Sequence, residues 1–252
     1  MKSLIIKSPA FFLVFACLFF CSCEKQASTS SASSSAGAGG SLAKFAIIGN
    51  YLYTVDSHSL AIYDISNPGA PVTKGSFFAG YDIETIFPYN DKLFLGSNEG
   101  MYIYSVTDPA TPVQESMITH FRACDPVVSN DSVSYVTLRS GNGSCGSTKN
   151  VLNVYNVKDI KNPVLVKEVD MDSPSGLGIS RNALYVCEGD SGMVVFDLTD
   201  PFSPQKIATI KGDAYFDVIP YGDVLIAFID KGVLFFDIKD PLNAVKVGSL
   251  MN

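Results

Sequence analysis

The sequence predicts an all-β fold, a β-propeller of about five four-stranded blades preceded by a signal peptide and a flexible linker. Three observations predict it. A twelve-residue unit, LAIYDISNPGAP (60–71), recurs as MYIYSVTDPATP (101–112), LNVYNVKDIKNP (152–163), MVVFDLTDPFSP (193–204) and VLFFDIKDPLNA (233–244). An apolar or aromatic anchor in the strand before it, Tyr53, Phe94, Tyr135, Tyr185 and Ile226, recurs at spacings of 41, 41, 50 and 41, a period that belongs to solenoids and propellers. In Leu60 to Ile65 both alternating faces are largely apolar, so the strand needs a sheet packed on either side, as a blade has between its neighbours. No segment shows the period of a helical repeat.

Taken in order, residues 1–22 form the leader. Lys2 and Lys7 precede an apolar run from Ala10 to Phe20, the layout of a secretory signal and too short to span a membrane. Its end, Phe20-Cys21-Ser22-Cys23, resembles a bacterial lipobox, with Cys23 as the lipidated residue. Cys17 is a rival, but cleavage there would leave Leu18-Phe19-Phe20 on the mature end, and an ordinary signal peptide with incidental cysteines is the bland alternative. Residues 23–40 are a tether: from Gln26 onward they are almost only Ser, Ala, Thr and Gly, a composition that buries too little surface to fold.

Residues 41–252 carry the propeller, with repeats at about 41–79, 80–120, 121–171, 172–211 and 212–252. In the second repeat the strands are expected at Thr85 to Pro88, Leu93 to Gly96, Met101 to Val106 and Pro112 to Thr119. Between the third and fourth, Asn67-Pro68, Asp108-Pro109, Asp200-Pro201 and Asp240-Pro241 place an acceptor side chain and then a fixed φ, which makes a turn. The second proline opens the fourth strand, a position open to proline because that strand is the blade's outer edge. Seventeen Phe and twelve Tyr with no Trp agree with β-structure. Five units running from near Leu42 to near Leu250 fit five blades closed in register; a six-bladed ring made with another chain, or an open array, fits the same count.

SLAKF (41–45), DIETIFPYNDKLFLGS (82–97), CDPVV (124–128), YVTLRSG (135–141), GLGI (176–179) and DVIP (217–220) together resemble the LVIVD-repeat proteins, a propeller-like group common among lipoproteins of Bacteroidetes-type bacteria. The resemblance covers about residues 41–252. It implies a propeller-like lipoprotein and brings no activity with it. The family pattern has a histidine before GLGI, where this chain has Ser175.

Blade topology puts the loop between strands two and three at the same end as the link to the next blade. The ten extra residues of the third repeat, within 139–150, fall on that face. So do Cys145, Cys124 and Cys187 by their places in the repeat. In an exported chain a disulfide is the default. Three thiols allow three pairings, and Cys124 with Cys145 is favoured because it staples the inserted loop. A metal site lacks a CxxC motif or a Cys/His cluster, and no cofactor is implied, since phosphate-loop, nucleophile-elbow and zinc-protease motifs are absent.

The same face receives the first residues of the inner strands. There Glu84, Asp125 and Asp217 are placed to converge, with Arg139 opposite them; the bland alternative is solvated carboxylates accepting loop hydrogen bonds. A formal net charge of −7 argues against nucleic acid as a partner. Two functions fit. One is a non-enzymatic, lipid-anchored cell-envelope protein of the outer membrane that binds a protein, peptide or glycan through Glu84, Asp125, Arg139 and Asp217. The other is a glycan-directed hydrolase using Glu84, Asp125 and Asp217 as acid, base and positioning group.

Overall fold

The structure is a computed structural model and describes residues 40–119, 126–140 and 149–252. Cys23, Cys124, Asp125 and Cys145 lie outside the described residues, and with them the lipidation and the favoured disulfide.

Among the described residues, twenty strands form five antiparallel sheets, each made of four consecutive strands in sequence order across the sheet. Blade 1 is β1 (Phe45–Ile48), β2 (Tyr51–Val55), β3 (Ser59–Asp64) and β4 (Val72–Phe78); blade 2 is β5 (Ile83–Tyr89), β6 (Lys92–Ser97), β7 (Gly100–Ser105) and β8 (Val113–Thr119). Blade 3 is β9 (Val127–Ser129), β10 (Val133–Leu138), β11 (Val151–Asn156) and β12 (Val164–Asp170); blade 4 is β13 (Leu177–Ser180), β14 (Ala183–Cys187), β15 (Met193–Asp197) and β16 (Gln205–Ile210). Blade 5 is β17 (Tyr215–Tyr221), β18 (Val224–Ile229), β19 (Gly232–Asp237) and β20 (Val245–Met251). The all-β, five-bladed propeller expected from the repeat is the observed architecture.

The repeated motif builds the same two devices in every blade. At the turn, the first acidic or amide side chain accepts from the backbone N–H two residues on, as Asp108 does from Ala110 at 3.1 Å, and its carbonyl accepts from the third, Thr111, at 3.1 Å. Asn67, Asp159, Asp200 and Asp240 do likewise. Asp159 makes the turn without a following proline, so the acceptor matters more than the fixed φ. The outer strand then carries a bulge opposite the third-strand aromatic, skipping Lys74, Glu115, Val166, Ile207 and Val247 in turn. A bulge at a constant place twists each exposed edge and blunts its pairing with other chains.

Blades meet face to face. The face that carries the second-strand anchor packs on the opposite face of the next blade, giving four apolar clusters: Tyr53, Leu60 and Ile62 on Leu93, Leu95 and Tyr104; Phe94 and Ile103 on Val127, Val136 and Val151; Tyr135 and Val154 on Leu184, Val186 and Phe196; Tyr185 and Val195 on Val218, Leu225 and Phe236. Three anchors add a polar clamp. Tyr53, Tyr135 and Tyr185 donate their hydroxyls to the carbonyls of Pro109, Pro201 and Pro241, each in the third-to-fourth strand turn of the next blade, at 2.8, 2.7 and 2.5 Å. At the second junction the anchor is Phe94, and Ser116 Oγ instead donates to the Ile160 carbonyl at 2.6 Å.

The fifth junction is different. Among the described residues no apolar cluster joins blade 5 to blade 1. The anchor face of blade 5, with Ile219, Val224, Ile226, Phe228, Val233 and Phe235, is half-buried or exposed, and so is the opposite face of blade 1, with Phe45, Ile47, Leu52, Thr54, Ala61 and Tyr63. Phe45 is 53% and Phe228 37% exposed, against 1% for Phe94 inside the array. Closure in register, which the repeat count suggests, is therefore not made by the packing that joins the other blades. The fifth anchor is Ile226, which has no hydroxyl with which to clamp a following blade.

Tyr135→Phe and Tyr185→Phe should each lower the free energy of unfolding in urea by about 1 kcal/mol, the net worth of one intramolecular hydrogen bond. Equal stability of the variants and the wild type would show that the clamp contributes nothing.

Candidate functional site: a rim pocket beside the hub

The inner strands β1, β5, β9, β13 and β17 surround a hub, and residues 40–43 lie across its loop-bearing end. Ser41 Oγ donates to Asp217 Oδ1 at 3.1 Å and accepts the N–H of Leu177, the first residue of β13, at 2.8 Å. The Ala43 carbonyl accepts from Ile86 N on β5 at 2.9 Å. This short strap thus ties blade 1 to blades 2, 4 and 5. Gly40 and Gly176 both lie against the Asp217 carboxylate, where an added Cβ would come within 2.1 Å of its oxygens. Only glycine allows that approach.

Burial raises the Asp217 carboxyl to about 6, against the opposing pull of the Val218 N–H, the Ser41 hydroxyl and the Leu42 and Ser41 N–H groups. Asp217 is thus a structural acceptor under the strap. It does not line the rim pocket described next.

That pocket, of about 530 Å³, opens at the same end between blades 1 and 2, lined by Leu42, Lys44, Ser57, Asp82, Ile83, Glu84, Thr85 and Asn98. Its walls follow from blade topology: Leu42 and Lys44 lead into β1, Asp82 precedes β5 and Glu84 lies at its start, and Ser57 and Asn98 belong to the loops between second and third strands. Backbone bonds fix it. Ile83 N donates to the Ser57 carbonyl at 2.9 Å, Ala79 N to the His58 carbonyl at 2.8 Å, and Asn98 N to the Asp82 carbonyl at 3.1 Å. Asp82 holds φ at 47°, a left-handed conformation that a residue with a side chain seldom adopts. Glu84 is raised above the ordinary carboxylate range by burial, with Lys44 opposing and the Asp82 charge adding to the rise.

Aromatic rings flank the polar pocket. His58, Phe78 and Tyr81 form a surface cluster, with the His58 and Tyr81 ring centroids 6.0 Å apart and those of Phe78 and Tyr81 5.0 Å apart in an edge arrangement. Phe78 and Tyr81 are 58% and 56% exposed. Asp56 holds the His58 loop, accepting from the N–H groups of His58 and Ser59 at 2.8 and 2.7 Å; these bonds lower its carboxyl.

Of the site residues expected from the sequence, Glu84 lines the pocket, Asp217 is held beneath the strap, Arg139 is exposed just past β10, and Asp125 lies outside the described residues. Glu84 and Asp217 are therefore not two walls of this pocket. Cys187 is the last residue of β14, at the loop-bearing end as its place in the repeat predicts, but its side chain turns into the core. It lies two residues after Tyr185 on β14, hence on the same sheet face, and is a buried free thiol in the core between blades 4 and 5. Burial, with the Asp217 charge adding, pushes that thiol well up. Lys44, Asp82, Asn98 and the clustering of His58 with Phe78 and Tyr81 escaped sequence reasoning; for Phe78, Tyr81 and Asp82 the signal was the run Phe77 to Glu84, where aromatic and acidic residues crowd the link between two blades.

Because Asp217 ionises near 6 in the folded chain and near 3.9 in an ordinary setting, its contribution to stability is complete below pH 3.9 and is lost as pH rises through 6. Asp217→Asn cannot ionise. Its thermal midpoint should gain on that of the wild type between pH 4 and pH 7 and hold a constant difference above; a difference independent of pH would refute the buried carboxyl.

Residues 39–78, covering the strap and blade 1, match the LVIVD repeat family. No protein of curated function matches the chain in sequence. In three dimensions it is similar to a functionally unknown protein from Desulfotomaculum acetoxidans (TM-score 0.66, 8% identity, covering 80% of this chain and 66% of the other). It is also similar to the computationally designed protein Ika8 (0.57, 11%, 82% and 60%) and to the periplasmic gluconolactonase PpgL of Pseudomonas aeruginosa (0.58, 14%, 81% and 69%). The chain thus spans about two thirds of the length of these propellers, and at such identities the likeness is one of fold. The chain is a β-propeller carrying an LVIVD repeat.

Proposed function

We propose that the protein is a non-enzymatic, lipid-anchored component of the cell envelope, on the outer membrane, that binds a glycan at the rim pocket between blades 1 and 2. One observation carries this: a concave site with carboxylate, amide, hydroxyl and ammonium groups lies beside exposed aromatic rings. Sugars present both kinds of surface, hydroxyls for the polar groups and C–H faces for the rings. The acid–base alternative needs two carboxyl groups about 5–9.5 Å apart across the scissile bond. Asp217, one of the three carboxylates proposed for it, is engaged by the strap instead.

Titration of the protein with a panel of bacterial and host oligosaccharides should find a ligand. Glu84→Gln with Asp82→Asn, and separately Tyr81→Ala, should each weaken it at least about tenfold, near 1.4 kcal/mol. Recovery of the bound sugar cleaved would favour the hydrolase; affinity indifferent to both variants would place the site elsewhere. The lipobox at Cys23 supports the anchor. Mass spectrometry of the mature protein should find a diacylated Cys23 at its start, and any other unmodified start removes the anchor from this reading.

A further inference from the structure

A second cavity lies at the other end of the hub, where the hairpin turns between first and second strands gather. It measures about 490 Å³, with Phe87 and Tyr89 of β5, Asp131 and Ser132 of the blade 3 turn, and Ile179 and Arg181 of blade 4 in its lining. Small-molecule sites span roughly 300–1,000 Å³.

The turns that border it depart from the repeat. Their first position is Gly49, Asn90, Asp131, Arg181 and Gly222 in blades 1 to 5. Four of these hold a left-handed φ between 51° and 58°, and Asp131 does not. Glycine adopts that conformation freely and asparagine tolerates it, but arginine resists it. Blade 4 thus keeps a guanidinium where blades 1 and 5 use glycine, and strain retained at one position points to a use for its side chain. Blade 3 builds its turn differently: Asn130 Oδ1 accepts from the N–H groups of Ser132 and Val133 at 3.0 and 2.9 Å.

Side chains tie these turns in pairs. Asn90 Nδ2 donates to Asp131 Oδ1 at 2.9 Å, joining blade 2 to blade 3. Arg181 donates to Asp223 Oδ1 at 3.0 Å and to the Ile238 carbonyl, joining blade 4 to blade 5. Among the described residues no hydrogen bond or ion pair joins the blade 3 turn to the blade 4 turn, and the cavity opens there. A carboxylate and a guanidinium therefore border one cavity from neighbouring blades without pairing with each other. Each is steadied by a partner on the blade away from the gap, and the guanidinium has five N–H donors, more than those two bonds consume.

We propose that this cavity binds a small zwitterion with an apolar side chain, an α-amino acid or a dipeptide, with its ammonium on Asp131 and its carboxylate on Arg181. A simple anion or cation would answer one wall and meet like charge on the other; a ligand carrying both charges answers both. Phe87, Tyr89 and Ile179 are half-buried and rest on the apolar clusters between blades, so they form a floor for the ligand's side chain. Burial, and then the Asp131 charge, raise the Tyr89 hydroxyl, which keeps it protonated beside that carboxylate. The site stands at the opposite end of the hub from the rim pocket and does not depend on it.

The test titrates the full chain calorimetrically with leucine and leucyl-leucine, with the N-acetyl and amide derivatives of each, and with glycine and glycyl-glycine. Leucine or leucyl-leucine should bind with a Kd below about 1 mM, and the tighter of the two gives the ligand's size. Capping either end, or removing the side chain, should weaken that ligand at least about tenfold. Asp131→Asn should bring the zwitterion and its N-acetyl derivative to equal affinity, and Arg181→Gln should do the same for the zwitterion and its amide. Asp131→Asn keeps an acceptor for Asn90, so its thermal midpoint should match that of the wild type, which separates loss of binding from loss of fold. Absence of binding by both uncapped ligands, capped derivatives that bind as well as uncapped ones, or wild-type affinity and preference in Asp131→Asn overturns the site.

Discussion

Everything in this molecule depends on sheets that are apolar on both faces. A strand such as β10 or β14, buried at every position, has no stable setting except between two other sheets, and that requirement propagates blade by blade. Hydrogen bonds then select one arrangement among the many that apolar packing would tolerate. The tyrosine clamps join the middle of one blade to the turn of the next, so neighbouring blades cannot slide without leaving a buried hydroxyl or carbonyl unpaired, at about 1–3 kcal/mol each. The motif's acidic turn residue therefore acts twice: it closes its own turn, and it positions the carbonyl that receives the clamp.

The fold was legible because the repeat records it at several levels at once. Hydrophobic alternation on both faces, turn acceptors at fixed offsets and a constant period all point to blades. Closure was less legible, since it depends on the two ends of the series, where each face lacks the neighbour that defines it. One clue was present in the sequence. The anchor series Tyr, Phe, Tyr, Tyr, Ile loses its hydroxyl at the last position, where a clamp onto a following blade would be needed.

The candidate site was less legible still. Counting from strand starts put Glu84 at the beginning of β5, where it lines the rim pocket, but sequence position says nothing of what covers a side chain. Asp217 occupies a comparable place in its repeat and is nonetheless covered, because Ser41 reaches it from 176 residues away. Cys187 stands at the strand end its repeat position gives it, and its burial follows from strand alternation applied from Tyr185, which puts it on the core face. The aromatic cluster at His58, Phe78 and Tyr81 joins a loop, an outer-strand end and a link between blades, three places that no single motif spans.

The strap also sets how the domain carries load. Residues 40–43 leave the first blade through the hub, between Leu177, Asp217 and Ile86, whereas the chain's other end, Met251, lies on the outermost strand of blade 5. A pull applied from the N-terminal side therefore enters at the centre and is divided at once among blades 1, 2, 4 and 5 by hydrogen bonds loaded together. The same pull on an outer strand would open one ladder bond after another, like a zip. An N-terminal attachment would thus load several ladders in parallel, whereas an attachment on the outer strand of blade 5 would load them one bond at a time.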